Sequence, residues 1–139
     1  MEQKIAHLTM IQGVISRMAS NSFQLKGWSV VLVSALVALA AKDGTPSLVY
    51  VAYLPSLVFW LLDGYFLRQE RLFRALYDRV RTLPVADCDF SMDIDMQASG
   101  AATWVGSMFS KTLVLFHGVV LAAVVVATVL LGCPVSHGS

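Results

Sequence analysis

The sequence has few charged residues and few cysteines, and both shortages exclude classes of protein. Charged residues make up 14% of the 139 residues, against about 25% in soluble domains. With a net charge of +1, the chain has no strong electrostatic attraction for nucleic acid, so we expect no such partner. Two cysteines are too few for a disulfide scaffold. The 57% of hydrophobic residues instead indicates an integral membrane protein.

Motifs that would indicate catalysis are also missing. The sequence contains no phosphate-binding glycine loop, no dinucleotide-binding glycine pattern, no Cys-x-x-Cys pair and no Ser, His and Asp set. The acidic run near residue 90 lacks the fixed glycine and the terminal glutamate of an EF-hand loop. We therefore expect no enzymatic activity, no cofactor and no metal ion.

Three apolar stretches are long enough to cross a bilayer, which takes roughly 20 residues. They cover residues 25–41, 47–67 and 112–131, and the formal charges inside them are Lys26 and Asp63. So little polar chain cannot enclose three such helices in water. The stretches are therefore predicted to be transmembrane helices.

Basic residues are concentrated on one side of these stretches. Lys42 lies in the short turn at 42–46, no basic residue follows residue 131, and the other nine of the ten flank the opposite ends. The positive-inside rule makes that flank cytoplasmic. The sequence thus predicts a multi-pass protein with a cytoplasmic N-terminus and an external tail at 132–139.

Two helical segments are predicted on the cytoplasmic side. Residues 1–24 form an amphipathic pattern that could lie on the membrane or pack against protein, and its few charges favour protein. The second span continues as a helix over 68–83 and ends at Pro84. Its apolar stripe would face water unless residues 1–24 and neighbouring subunits cover it. The candidate interface residues on this stripe are Phe73, Leu76 and Val80.

The segment 84–111 is predicted to contain a short β-strand. Apolar and polar residues alternate strictly from Asp87 to Gln97, which is typical of a half-buried strand. Because a single strand leaves its backbone groups unpaired, it would pair with its copy in another subunit. The alternative is an extended coil packed on helices. The apolar positions offered to the interface are Phe90, Met92 and Ile94.

The fold class expected from these features is an all-α membrane protein. It has three transmembrane helices, an N-terminal amphipathic helix, a long cytoplasmic extension of the second span and a short strand that pairs between subunits.

Two residues inside the spans are candidates for an ion path. An ionised Asp at a helix centre costs about 2.5–3.5 kcal/mol, so Asp63 is expected to face protein or water. It could line a pore or relay ions, or it could form a structural pair with Lys26 or Arg68. His117 could be a pH-sensitive group, or it could make a hydrogen bond between helices.

Four acidic residues on the cytoplasmic side are further candidates for an ion path. Projecting to one face of a strand, they could ring a cytoplasmic vestibule in an oligomer, or they could be a solvated face opposite the basic helix. They are Asp87, Asp89, Asp93 and Asp95.

Four sequence blocks resemble the RipA-type octameric membrane proteins of bacteria. They lie at residues 18–28, 62–74, 89–93 and 109–113, and include Asn-Ser-Phe-Gln-Leu-Lys-Gly-Trp and Leu-Arg-Gln-Glu-Arg-Leu-Phe. The resemblance covers most of residues 8–125. It implies a small protein of the bacterial inner membrane that assembles as a ring of eight, and it implies no catalytic residues.

Two functions fit these expectations. One is a homo-oligomeric ring with a pore or channel-like role, and the other is a non-conducting scaffold that organises lipid or a cytoplasmic partner. Polar residues facing the ring axis would favour the channel, whereas an axis of Leu, Val and Ala would favour the scaffold. In both cases the expected partners are copies of this chain and membrane lipid.

Overall fold

The fold is described from a computed structural model, which covers residues 1–94 and 104–133. Four α-helices follow in chain order: α1 Glu2–Asp43, α2 Ser47–Thr82, α3 Trp104–Met108 and α4 Lys111–Gly132. A single 3-10 turn, Val85–Asp87, follows α2. Helices α1, α2 and α4 are each long and apolar enough to cross a membrane, so the chain is a multi-pass membrane protein.

Helix α1 joins the predicted amphipathic helix and the first predicted span without a break. Its 42 residues reach about 63 Å at 1.5 Å per residue. The helix ends at Gly44, whose φ of 61° is left-handed and whose backbone N–H bonds to the carbonyl of Ala40. Glycine adopts this conformation without strain, and the turn between α1 and α2 is 44–46, two residues shorter than the predicted 42–46.

Helix α2 contains both the second predicted span and its extension. It has 36 residues, about 54 Å in length. At its end Leu83 is extended, with ψ of 143°, as expected of a residue that precedes proline. The predicted long helix leaving the second span is therefore present.

The ends of the three spans that lie near the Gly44 turn pack into one apolar core. Val33 and Ala40 of α1 meet Val49 and Ala52 of α2 and the valines Val120 and Val124 of α4, all of them buried. A hydrogen bond of 3.1 Å between the hydroxyls of Tyr53 and Thr128 also joins α2 to α4.

The other ends of α1 and α2 form a two-helix stalk, defined here as residues 2–20 and 68–82. Ile11 and Ile15 of α1 are buried against Leu76 and Val80 of α2. The stalk thus confirms that the amphipathic segment packs against protein, because its apolar stripe has a matching stripe on α2. Lys4 closes the stalk by donating hydrogen bonds to the carbonyls at the end of α2.

The predicted β-strand is wrong for the part of it that the structure describes. Val85–Asp87 form the 3-10 turn, and Phe90 has φ of 55°, which interrupts any extended strand. The side chain of Asp89 accepts from Ser91 N, and that of Ser91 accepts from Asp93 N, so turns rather than a partner strand bind these amides. The segment is coil packed on the stalk, and positions 95–97 lie outside the described residues.

Candidate functional site

Asp63 lies at the centre of a polar cluster between the three long helices. Its side chain is 0% exposed and accepts from three donors. Lys26 Nζ lies 2.6 Å from Oδ2 and His117 Nε2 lies 2.9 Å from the same oxygen. The hydroxyl of Ser22 donates to Oδ1. These four residues are named the Asp63 cluster below.

The spacing of residues along α1 explains how this cluster forms. Ser22 and Lys26 are one turn apart, and Lys26 Nζ donates to Ser22 Oγ over 2.8 Å. Both therefore face Asp63 on α2, while His117 approaches from α4. The expected structural pair of Asp63 and Lys26 is present, and so is the expected interhelical hydrogen bond of His117. Breaking a buried ion pair of this kind typically costs about 3–5 kcal/mol.

Aromatic rings enclose the histidine of the cluster. The ring of Trp60 stacks on His117 with centroids 6.0 Å apart and planes 7° apart. Phe116 meets the same imidazole edge-on at 5.1 Å, and Lys26 Nζ lies 5.9 Å from the Phe116 centroid. These contacts fix the ring so that Nε2 points at the carboxylate, and His117 is 1% exposed.

Gly64 allows helix α3 to pack beside the cluster. A Cβ at position 64 would overlap the Met108 side chain and would lie 3.4 Å from its Cα. Trp60 Nε1 donates to the Met108 carbonyl over 3.0 Å, and Trp104 Nε1 donates to the Leu61 carbonyl over 3.3 Å. The missing side chain of Gly64 and the two tryptophans therefore seat α3 on α2.

The Asp63 cluster reaches the surface through one residue. Lys26 is 18% exposed, whereas Asp63 and His117 are 0% and 1% exposed. Toward the Gly44 turn the buried serines Ser29 and Ser56 come first, and beyond them the buried side chains between the helices are Val and Ala. The cluster can therefore hold a charge and bind three helices together, and this core separates it from the Gly44 end of the spans.

The acidic residues that follow α2 lie far along the chain from Asp63. Asp87, Asp89 and Asp93 are exposed and border, with Arg79, a shallow cavity of about 190 Å³. Asp95 lies outside the described residues. In the described ranges no three His, Cys, Asp or Glu side chains are grouped as metal ligands would be. A role of these acids in an ion path stays a prediction.

The candidate interface residues divide into two groups. Leu76 and Val80 are buried inside the subunit, with Phe73 and Met92 packed beside them. Phe90 is 40% exposed and touches the His7 ring edge-on, and Ile94 is half-buried. A neighbouring subunit would have to displace α1 to reach the buried residues Leu76 and Val80. Phe90 is therefore the most accessible of the six candidate interface residues. Their role in an interface stays a prediction.

Sequence reasoning missed three participants in the site. Ser22 was not linked to Asp63, although Ser and Lys at i and i+4 facing a lone carboxylate are the signal for such a cluster. The sequence also gives no sign that Gly64 makes room for Met108 or that the Trp60 ring stacks on His117.

Comparison with known proteins adds no relative. No protein-family model matches the chain, and neither a curated protein nor a solved structure is similar to it. The resemblance to the RipA-type proteins therefore stays a prediction that depends on the four sequence blocks.

Proposed function

We propose that the chain is a non-conducting, homo-oligomeric scaffold of the bacterial inner membrane. Its spans would anchor the assembly, its stalk would contact neighbouring copies in the cytoplasm, and it would have no catalytic role. Eight subunits is the number that the resemblance to RipA-type proteins implies. The orientation follows from the nine basic residues that flank the stalk side of the spans.

The observation that carries this proposal is the closure of the Asp63 cluster within one chain. Asp63 is bound by Ser22, Lys26 and His117 of its own subunit and is 0% exposed. In an oligomer of such subunits it would not line the axis. The exposed side chains of the spans are largely Val and Leu, so an axis built from them would exclude water or hold lipid.

The stalk supports self-assembly because it exposes an apolar groove outside the spans. The groove has a volume of about 510 Å³ and is lined by Ile5, Leu8, Thr9, Gln12, Gly13, Ser16 and Tyr77. Ile5 is 57% exposed, which is costly for an apolar side chain in water. A second copy in the same membrane holds an identical stalk at the same height, so it is the natural occupant of this groove.

The proposal is tested by ion flux and mass on one preparation. Purified protein in mild detergent should run as a discrete oligomer. The same oligomer in vesicles should give no more flux of potassium, sodium or chloride than empty vesicles over a wide range of voltage and pH. Ile5→Asp should weaken assembly, and Thr45→Asp in the external turn is its control. A monomeric wild type, or a flux through the oligomer above that of empty vesicles, would contradict the proposal.

A cation-selective channel is the second candidate, and the exposed acids favour it. Asp87, Asp89 and Asp93 are exposed on the stalk side of each subunit, and rings of Asp attract cations. In that case the oligomer conducts cations over anions, and Asp89→Asn with Asp93→Asn reduces this selectivity without changing the mass of the oligomer.

The proposed orientation is tested with the two cysteines. Cys133 is exposed at the end of α4, and Cys88 lies half-buried on the stalk, both as free thiols. An impermeant maleimide added to intact spheroplasts should label Cys133 and not Cys88. In permeabilised cells Cys88 should be labelled as well, with Cys88→Ser as the control. Labelling of Cys88 alone in intact spheroplasts would reverse the orientation.

A further inference from the structure

A stripe of α1 at the start of the first span combines a cation, two amides and apolar side chains. At helical spacing it runs from Arg17 through Asn21 and Gln24 to Leu25 and Trp28. The last four residues, together with Phe66 of α2, line a groove of about 250 Å³. This groove is named the Trp28 groove, and Arg17 lies one turn before it.

The order of residues along the stripe follows the layers of a cytoplasmic leaflet. Lys26 lies between Leu25 and Trp28 on the same part of α1, and it is bound to Asp63 of α2. This level is the boundary between stalk and spans. On the stalk side of that level the stripe carries Arg17 and Asn21. On the span side it carries Trp28, which is 66% exposed. Tryptophan prefers the membrane interface, with charged groups on its outer side.

The polar side chains of the stripe have no partners within the part of the chain that the structure describes. Arg17 and Gln24 are exposed and Asn21 is half-buried, and none of the three makes a side-chain hydrogen bond or ion pair there. Together they offer a charge and several N–H donors to a ligand that arrives from outside the subunit. A phosphate group accepts from such donors.

We propose that the Trp28 groove binds an anionic phospholipid of the cytoplasmic leaflet. The phosphate lies against Arg17, with Asn21 and Gln24 as further donors, and an acyl chain lies along Leu25, Trp28 and Phe66. A zwitterionic lipid carries its own ammonium, which opposes Arg17. One arginine near the surface therefore favours the anionic lipid about fivefold.

Position favours lipid over a second copy as the occupant. The groove lies at the level of Lys26 and Asp63, where the stalk meets the spans, and its exposed Trp28 marks the depth at which lipid headgroups meet acyl chains. The stalk groove proposed for assembly shares no lining residue with the Trp28 groove: its lining on α1 ends at Ser16, whereas that of the Trp28 groove begins at Asn21. The two surfaces can therefore be occupied together, and lipid binding does not depend on oligomer formation.

Native mass spectrometry of the full chain tests the proposal. Dioleoylphosphatidylglycerol or dioleoylphosphatidylcholine is added to the detergent-solubilised protein, and bound lipid is counted per subunit. The wild type should bind the anionic lipid about fivefold more tightly, and Arg17→Gln should remove the preference. Arg71→Gln is the matched control, since Arg71 is exposed and lies outside the groove. It should keep the preference.

Three results would overturn the proposal. Equal binding of the two lipids by the wild type would do so, as would an unchanged preference in Arg17→Gln. An equal loss in Arg17→Gln and Arg71→Gln would show general attraction by the basic flank rather than a site. An unchanged thermal midpoint of Arg17→Gln verifies that the variant is folded.

A cross-linking experiment separates lipid from a second copy. A benzophenone amino acid in place of the exposed Trp28, against which the acyl chain lies, should react with an acyl chain in vesicles. A covalent dimer of the chain as the main product would assign the groove to an interface between copies, and the lipid proposal would then be wrong.

Discussion

The span region and the stalk distribute polarity in opposite ways. Between the spans, where the surroundings are apolar, the chain encloses a carboxylate, an ammonium and an imidazole, and no member exceeds 18% exposure. On the stalk, the chain leaves Ile5 and Met10 more than half exposed, at 57% and 59%. The span region encloses the charged groups that an apolar solvent would accept least. The stalk encloses apolar side chains, which water would accept least, and the stalk groove is the exception.

From this contrast we expect the membrane region to be complete in one chain and the stalk to take a partner. The Asp63 carboxylate has three donors within its own chain, so the spans need no other copy to bind this charge. The stalk buries Ile11 and Ile15 against α2 but leaves a groove beside them. Assembly is therefore expected to depend on the stalk, and stability of the membrane region on the cluster.

The largest expected effect is the loss of Lys26. Lys26→Met leaves Asp63 buried without its ammonium partner and should destabilise the subunit by about 3–5 kcal/mol, measured by thermal or denaturant unfolding in detergent. Adding Asp63→Asn should restore much of the loss, because the buried charge is then gone. Lys42→Met, in the exposed turn, should be near neutral. If Lys26→Met unfolds like the wild type, the cluster does not hold the spans together.

The next largest effect is expected in the stalk core. Ile11 is 0% exposed, so Ile11→Ala should cost about 2–5 kcal/mol through lost contacts and a cavity. Hydrogen exchange should accelerate over α1 residues 2–20 and leave the span core protected. Ile5→Ala, at an exposed position, should change little in the monomer. Equal acceleration in both variants would mean that the buried seam is not the stabilising contact.

A smaller effect is expected at Gly64. Gly64→Ala should cost about 1–3 kcal/mol, because its methyl group overlaps Met108. Tryptophan fluorescence should report the displaced α3 through Trp60 and Trp104. Gly118→Ala is the matched control, since nothing lies within 4 Å of a Cβ there, and Met108→Ala should rescue Gly64→Ala. A neutral Gly64→Ala would contradict the close packing of α3 on α2.

The smallest effect is expected where the coil joins the stalk. His7 Nε2 donates to the Ser91 carbonyl over 3.1 Å, so His7→Phe should cost about 0.5–1.5 kcal/mol. Exchange should accelerate at residues 88–94 alone. The variant His7→Gln can still donate a hydrogen bond, so its hydrogen-exchange rate should lie between those of the wild type and His7→Phe. If hydrogen exchange is unchanged in His7→Phe, this hydrogen bond does not hold the coil on the stalk.

Regular periodicity explains which parts of the fold were predictable. The three spans, the turn at Gly44 and the end of α2 before Pro84 follow from local rules of length, glycine conformation and proline geometry. The alternation after Asp87 indicated a strand, but side-chain turns at Asp89 and Ser91 and the left-handed Phe90 prevailed over it. Alternation describes two faces and not the backbone partners that a strand requires.

The candidate site was predictable only pair by pair. Asp63 with Lys26 follows from the cost of a lone charge in a span, and an interhelical bond of His117 follows from the same reasoning. The meeting of both partners on one carboxylate depends on the rotation of three helices about their axes. Neither hydropathy nor spacing along one helix specifies that rotation.

The most direct test of the central claim is an electron-microscopy structure of the assembled protein in lipid nanodiscs. A closed scaffold should show the Asp63 cluster inside each subunit, with Lys26 and His117 on the same carboxylate. Its axis should be lined by Val and Leu and filled by lipid. An open, water-filled axis with the Asp63 carboxylate facing it would contradict the account and make the assembly a channel.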